Sequence, residues 1–382
     1  HWLPTLVGRS VTRRRLEVAP LAGKDDAALA CCHGSEGRVK AAYISGGIVG
    51  VGDLPDPTPR KGQALVRTHV CGLCASDQHF LSGGQNLIAL SQRMGGPYAA
   101  LDFERPFVPG HEYVGEVLDY GVGSRRSVKP GRRVISVPIM RQGGSHAVVG
   151  YSHDCPGGFG ELMLLDEDFL IEVPDALPDD YAAMVEPLAV GLEHARRGRP
   201  VAGDVALVLG CGAIGLGVIA GLKLMGIGPI VAVDFHQGRR DLALAAGAHI
   251  AIDPREQDPY APLPLFDGRR VNLIYECVGQ PGMLQRIVEA APFDGRIVMG
   301  GYCMEAESLF VFAAQNKRLN IQFAGGEEPQ DMDLAMRAIA DARIDVAPWL
   351  GDTIGLGAVG EAVKNLSGPG APIRTLVNPR KA

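Results

Sequence analysis

The sequence lacks a dense block of cysteines and lacks an excess of basic residues. Its eight cysteines are scattered over almost the whole length, which excludes a small disulfide-stapled secreted scaffold and is typical of a reducing compartment. We therefore expect a cytoplasmic protein. The formal net charge of −6 argues against a nucleic-acid-binding surface, so no nucleic-acid partner is expected.

Long apolar runs are also scarce, and the stretch most easily mistaken for a membrane span is VALVLGCGAIGLGVIAGL, residues 205–222. This stretch is uncharged, but it contains five glycines and lies between Asp204 and Lys223. Such a glycine content predicts a strand, a turn and a helix instead of a transmembrane helix. No membrane partner is expected.

A chain of 382 residues exceeds the size at which one hydrophobic core usually keeps growing, so two domains are expected. Residues 39 to about 173 read as short strands separated by Gly/Pro turns, which predicts a mostly β domain. From Asp204 onward strands and helices alternate, as in a doubly wound parallel α/β sheet. The segment PIRTLVNP predicts a strand that returns to the first domain. Residues 1–38 show no structural period and are predicted to be a disordered or mis-assigned extension.

The segment VLGCGAIG, residues 208–215, follows a predicted strand and opens a predicted helix. Its G-x-G-x-x-G spacing is typical of a dinucleotide site, although a glycine-rich packing turn would look the same. Asp234 ends the next predicted strand, where a carboxylate binds ribose hydroxyls and repels a 2′-phosphate. NAD is therefore expected, with Arg239 and Arg240 leaving NADP open. The predicted cofactor-binding residues here are Gly210, Gly212, Ala213, Ile214, Gly215, Asp234 and Arg239.

The segment CGLCASDQH, residues 71–79, allows a redox pair, half of a zinc knuckle or part of a catalytic metal site. A redox pair is expected at the start of a helix, whereas this pair is predicted at a strand end. A zinc knuckle needs a second cysteine pair, which the sequence lacks. A catalytic zinc needs three protein ligands, and the candidates are Cys74, His111 and Glu186.

Six motifs together resemble the zinc-dependent medium-chain alcohol dehydrogenase superfamily, particularly its polyol, threonine and butanediol dehydrogenase branch. The motifs, in the superfamily's order, are GLCASDQH, GHEYVGEV, VEPLAVG, VLGCGAIG, ECVGQPG and GRIVMGG. The resemblance implies a GroES-like, mostly β catalytic domain over residues 39–187 and 328–382. It also implies a Rossmann NAD-binding domain, a doubly wound parallel sheet, over residues 188–327.

Carried over residue by residue, the resemblance makes Cys74, His111 and Glu186 the ligands of one catalytic zinc. Asp77 would support the ligand histidine, as carboxylates commonly do around metals. Glu112 would lie near the metal and help exchange its water.

The resemblance further implies hydride transfer to NAD from a secondary alcohol, diol, polyol or hydroxy-amino acid. Ser76 would take the substrate proton and His79 would pass it to solvent. A homo-oligomer, dimer or tetramer, is expected. The remaining positions implied to contact the cofactor are Val278, Gly300, Gly301 and Arg374.

The sequence departs from the superfamily's pattern in two places. Where many relatives carry a four-cysteine zinc lobe, residues 141–161 contain only Cys155, so no structural zinc is expected. Residues 82–107 form a longer insert than expected and are predicted to shape the substrate entrance. Two other functions stay open: a zinc-free quinone or enoyl reductase of the same fold, and a non-catalytic nucleotide-binding protein.

Overall fold

The structure is a computed structural model that describes residues 37–142, 145–261, 269–366, 368 and 370–381. The extension predicted over residues 1–38 falls outside this part of the chain, except for its last two residues. The first strand, β1, runs from Arg38 to Ser45, one residue earlier than the predicted start at Val39. It pairs antiparallel with β2 (Ile48–Pro55).

A mostly antiparallel sheet contains strands from both ends of the chain. In the described residues it has seven strands in the order β16-β17-β3-β4-β5-β9, with β8 also paired to β3. Leu376 of β17 lies opposite Gly72 of β3, which confirms the predicted return of the C-terminal segment. The strands of this sheet are β3 (Gln63–Gly72), β4 (Glu112–Tyr120), β5 (Arg133–Ser136), β8 (Leu162–Asp166), β9 (Leu170–Glu172), β16 (Leu350–Ile354) and β17 (Arg374–Val377). A separate hairpin joins β6 (Ile139–Gln142) to β7 (Ser145–Val148).

The predicted doubly wound sheet is confirmed as six parallel strands, counted over the described residues, in the order β12-β11-β10-β13-β14-β15. All side chains of β10, β11 and β13 are buried, because helices cover both faces of a parallel sheet. The order reverses between β10 and β13, which is where such sheets bind ligands. The strands are β10 (Ala206–Leu209), β11 (Ile230–Val233), β12 (Ile250–Ile252), β13 (Leu273–Glu276), β14 (Arg296–Met299) and β15 (Asn320–Phe323).

The helix α3 packs against α4 at the side of the parallel sheet. Gly191 of α3 and Gly217 of α4 face each other so closely that an added Cβ on Gly191 would lie 2.5 Å from the Gly217 Cα. The two backbones can therefore approach only because neither residue has a side chain. The helices of the described residues are α1 (Ala75–Met94), α2 (Asp179–Ala182), α3 (Val185–Arg197), α4 (Ala213–Leu224), α5 (Gln237–Ala246), α6 (Met283–Ala290), α7 (Val311–Asn316), α8 (Pro329–Ala340) and α9 (Val359–Asn365).

The sequence analysis placed both cysteines of the pair at a strand end, and this prediction is correct for Cys71 but wrong for Cys74. Cys71 lies in β3, but Cys74 is the N-cap of the 20-residue helix α1, which also continues through residues 82–94 of the predicted insert. The first argument against a redox pair therefore fails. A second one replaces it, because burial raises the pKa of the Cys71 thiol well above its ordinary value and so disfavours the reactive thiolate.

None of the helices in the described residues is long and apolar enough to cross a membrane. The uncharged stretch at residues 205–222 folds as β10, a glycine turn and most of α4, as its glycine content predicts.

Candidate active site

In the glycine turn between β10 and α4, each of the three motif glycines has a different structural role. Gly210 has a φ of +89°, which favours glycine. An added Cβ on Gly215 would lie 1.9 Å from the Gly210 carbonyl oxygen, so the third glycine allows the helix to pack on the strand. At Gly212, the N-cap of α4, an added Cβ would meet nothing within 4 Å. Open space at a helix N-terminus is the arrangement that accommodates a pyrophosphate.

The Asp234 carboxylate follows β11 and reaches back to this turn. Its Oδ2 accepts the Cys211 backbone N–H at 2.9 Å, and its Oδ1 accepts the His236 N–H at 2.9 Å. A carboxylate has about four acceptor positions, so both oxygens keep capacity for ribose hydroxyls. Arg240 is already engaged with the Asp234 carbonyl and with Asp253, at 2.8 and 3.1 Å.

Two further loops begin at the same edge of the parallel sheet, and the buried side chain of Glu276 hydrogen-bonds to both of them. Its Oε1 accepts the N–H groups of Val278 and Gly279 at 2.7 and 2.8 Å, and its Oε2 accepts the Gly301 N–H at 3.2 Å. An added Cβ on Gly300 would lie 2.2 Å from the His194 ring, so this loop packs directly on α3. The carboxylate thus fixes the loops that the resemblance assigns to the nicotinamide.

The register of β3 and β4 brings distant parts of the sequence together on the other side of the cleft. Gly72, the last residue of β3, lies opposite Glu112, the first residue of β4. Cys74 follows β3 and His111 precedes β4, so antiparallel pairing places both at one sheet end. An added Cβ on Gly72 would lie 2.3 Å from Glu112 Oε2, so only glycine leaves room for the Glu112 side chain.

Three side chains at this sheet end form a group that fits a cation. Cys74 Sγ, a ring nitrogen of His111 and a carboxylate oxygen of Glu112 all lie within 4.8 Å of one another. Over the described part of the chain, His111 Nδ1 is buried without a hydrogen-bond partner. Buried polar atoms rarely lack partners, and thiolate, imidazole and carboxylate are the ligands that zinc prefers.

The charges around this group also favour a bound cation. Burial raises the pKa of the Cys74 thiol to about 12, and the Glu112 carboxylate adds to the rise. Burial lowers the pKa of His111, but the carboxylates of Glu186 and Asp77 outweigh it, and the net shift is upward. The site therefore has an excess of negative charge that a divalent ion would offset.

Glu186 lies at the first turn of α3, and burial raises its pKa well above the ordinary value. It acts on His111 through its charge, but among the described residues the group within 4.8 Å contains Glu112 and not Glu186. Glu327 is a further buried acid that the sequence analysis missed, and burial raises its pKa to about 7. The pair Glu327-Glu328 before Pro329 was its only signal in the sequence.

Arg374 lies beside Glu112 and is 4% exposed. Its Nε is 2.9 Å from Glu112 Oε2 in an ion pair whose geometry is not that of a hydrogen bond, and its Nη1 donates to the Leu73 carbonyl at 2.7 Å. Its contact with cofactor phosphates stays a prediction.

A network of hydroxyls and one carboxylate surrounds the Cys74 end of α1. Asp77 Oδ2 accepts the Cys74 backbone N–H at 2.9 Å, and Asp77 Oδ1 accepts the Tyr151 hydroxyl at 2.6 Å. Ser76 Oγ lies 3.2 Å from the Tyr151 hydroxyl and 3.5 Å from His111 Nε2. His79 Nδ1, one turn later, is buried without a hydrogen-bond partner in the described structure. The Asp77 carboxylate raises the pKa of His111 through its charge, and its role as the support of a ligand histidine stays a prediction. Tyr151 is a member of the network that the sequence analysis missed.

Comparison with known proteins identifies the family. Residues 60–175 match the alcohol dehydrogenase GroES-like domain, and residues 213–341 match the zinc-binding dehydrogenase domain. The chain is 32% identical over 254 residues to (R,R)-butanediol dehydrogenase of Bacillus subtilis. The aligned segment covers 64% of this chain and 72% of that protein. This chain belongs to the zinc-dependent medium-chain alcohol dehydrogenase superfamily. The resemblance inferred from the six motifs is thereby confirmed.

Two further similarities agree with this family. Sorbitol dehydrogenase of Bacillus subtilis is 28% identical over 260 residues, covering 65% of this dehydrogenase and 70% of the relative. The crystal structure of 2R,3R-butanediol dehydrogenase from Bacillus subtilis superposes with a TM-score of 0.74 at 26% identity, covering 90% of this chain and all of that one. The GroES-like and Rossmann architecture predicted from the sequence is thus confirmed.

Proposed function

We propose that this dehydrogenase oxidises a secondary alcohol, diol, polyol or hydroxy-amino acid with NAD, using one catalytic zinc. The observation that carries the proposal is the grouping of Cys74, His111 and Glu112 within 4.8 Å at the end of β3. The relatives named for butanediol and sorbitol support a substrate of the diol or polyol class.

Cys74 and His111 are two of the proposed zinc ligands, and a carboxylate is the third. Glu186 is the carboxylate implied by the resemblance, whereas the distances favour Glu112. A zinc ion bound there would supply Lewis-acid polarisation of the alcohol oxygen. Residues 141–161, where many relatives carry a four-cysteine zinc lobe, contain only Cys155, so we propose a single zinc ion per chain.

Ser76 is proposed to accept the alcohol proton as hydride leaves the carbinol carbon. One proton enters Ser76 Oγ from the substrate and one leaves it for solvent through His79, so the serine is unchanged overall. Burial lowers the pKa of His79, which keeps its ring neutral and able to accept a proton. A bound nicotinamide cofactor would accept the hydride. Gly300 and Gly301, fixed through Glu276, are proposed to position it.

Asp234 is proposed to make NAD the preferred cofactor. Its carboxylate would accept both ribose hydroxyls and repel a 2′-phosphate. Arg240 is held by Asp253, which leaves Arg239 as the proposed phosphate neighbour for any NADP activity.

Asp234→Ala is expected to raise the KM for NAD about tenfold to a hundredfold, because charge-assisted hydrogen bonds worth roughly 1.5–3 kcal/mol are lost. The ratio of kcat/KM for NAD to that for NADP should fall as repulsion of the 2′-phosphate disappears. Asp241→Ala is the matched control, since it removes the same charge from an exposed site on α5. An unaltered ratio in Asp234→Ala would show that another group selects the cofactor.

The domain division at residues 187/188 and 327/328 is proposed, as is a homo-oligomer. The edge strand β15 supports self-association, since it ends in Phe323, which is 70% exposed, and Phe310 and Phe312 are each 67% exposed.

A reducing compartment such as the cytoplasm is proposed because the six cysteines of the described residues are free thiols.

Zinc analysis combined with a substrate screen tests the function. We expect about one zinc per chain and an absorbance rise from reduced cofactor with some alcohols or diols. A protein without zinc that reduces quinones or enoyl compounds would instead be the zinc-free reductase. Bound zinc with no turnover across the panel would favour the non-catalytic nucleotide-binding protein.

A further inference from the structure

Tyr151 lies at the centre of the hydroxyl network, although no motif of the sequence marks it. The residue is 2% exposed. Its hydroxyl is 2.6 Å from Asp77 Oδ1 and 3.2 Å from Ser76 Oγ. It thus joins the proposed proton acceptor to a buried carboxylate.

The direction of the hydrogen bonds follows from the number of protons available. A tyrosine hydroxyl has one proton, and here it is donated to Asp77 Oδ1. The Tyr151 oxygen is then free only to accept, so the 3.2 Å contact must use the proton of Ser76. With that proton turned toward Tyr151, the lone pairs of Ser76 Oγ are left for the hydroxyl of a substrate.

The ring of Tyr151 is held in place from several sides, so its hydroxyl position is defined. It stacks on Phe80 with centroids 4.2 Å apart and an interplanar angle of 21°. Tyr98 meets it edge-on at 6.1 Å, and the His111 ring lies 5.6 Å away. Asp77 is fixed in turn by the Cys74 backbone N–H.

We propose that Tyr151 is a positioning residue for alcohol oxidation, whose hydroxyl orients Ser76 Oγ as a proton acceptor. As Ser76 Oγ takes the substrate proton, the proton that Ser76 held toward Tyr151 leaves for His79, so Tyr151 itself neither gains nor loses a proton. Without it, the Ser76 proton can turn toward the substrate oxygen, where it opposes the transfer. This inference rests on the proposed function, since it assigns a role in the same reaction.

Tyr151→Phe tests the inference because it removes the hydroxyl and keeps the stacked ring. We expect kcat to fall about tenfold to a hundredfold, the range typical of residues that hydrogen-bond to groups around a metal site. The KM for the cofactor and the zinc content should stay unchanged, and the solvent isotope effect on kcat should rise. Tyr120→Phe is the matched control, since its buried hydroxyl donates to the Val128 carbonyl in a different part of the sheet.

A double variant separates positioning from packing. In a Ser76→Ala background the Tyr151→Phe change should have no further effect on kcat, because the group it orients is gone. An equal loss in both backgrounds would overturn the inference in favour of a packing role. A kcat for Tyr151→Phe within twofold of an active wild type would also overturn it, whereas an inactive wild type would count against the proposed function itself.

Asp77→Asn provides a second variant if Tyr151→Phe does not fold. Its amide oxygen is needed by the Cys74 N–H, so its NH₂ group must face Tyr151 and donate to it. Tyr151 would then donate to Ser76, which reverses the hydrogen-bond chain. In zinc-loaded Asp77→Asn we expect a loss of kcat at least as large as in Tyr151→Phe, and a zinc-loaded variant of normal kcat would contradict the proposal.

Discussion

Cys74→Ala should lose its zinc and reduce kcat roughly a thousandfold or more, because the metal supplies several kcal/mol of transition-state stabilisation. The thiol lies within 4.8 Å of the ligand atoms of His111 and Glu112, and burial in an acidic site makes its ionisation dependent on a cation. Metal analysis of the purified variant and initial rates with a diol measure the two losses.

Cys71→Ala is the matched control for this prediction. The residue lies three positions earlier, is fully buried in β3 and packs near Gly158, where an added Cβ would lie 2.7 Å from the Cys71 Sγ. Removing its sulfur leaves a small cavity that should cost about 1 kcal/mol of unfolding free energy, with zinc and kcat retained. Equal loss of metal in both variants would indicate that the pair acts together.

Glu112→Gln and Glu186→Gln should differ strongly in zinc content, which identifies the third ligand. We expect Glu112→Gln to lose zinc and to reduce kcat roughly a hundredfold or more, because its oxygen lies within 4.8 Å of both other ligand atoms. Glu186→Gln should keep zinc, since this carboxylate acts on His111 through charge. The opposite pattern would make Glu186 the ligand, as the resemblance implies.

One complication of the Glu112 test is the buried ion pair with Arg374. Removing one partner of such a pair leaves an uncompensated charge that costs about 3–5 kcal/mol, so the single variant can lose stability as well as zinc. The double variant Glu112→Gln/Arg374→Met removes that charge. Loss of zinc in a double variant with a normal melting temperature would assign the effect to the ligand.

The sequence alone predicted the elements that depend on local patterns. The apolar run before Gly210, the glycine spacing and the acid at Asp234 defined a strand, a turn and a second strand end. The continuation of α1 through residues 82–94 was not predicted from the sequence, because this segment contains two adjacent glycines and glycine is unfavourable inside a helix. Helix continuation there depends on packing against neighbouring elements, which a local pattern does not contain.

By itself, the sequence determined the fold class, the dinucleotide turn and the set of side chains from which a metal site could be built. It did so because glycine freedom, apolar periodicity and ligand chemistry are properties of residues and their near neighbours. Only the tertiary structure decided which carboxylate stands beside Cys74 and His111, and that Tyr151 joins Ser76 to Asp77. Strand register and helix packing fix those distances, and both arise from contacts between residues far apart in the chain.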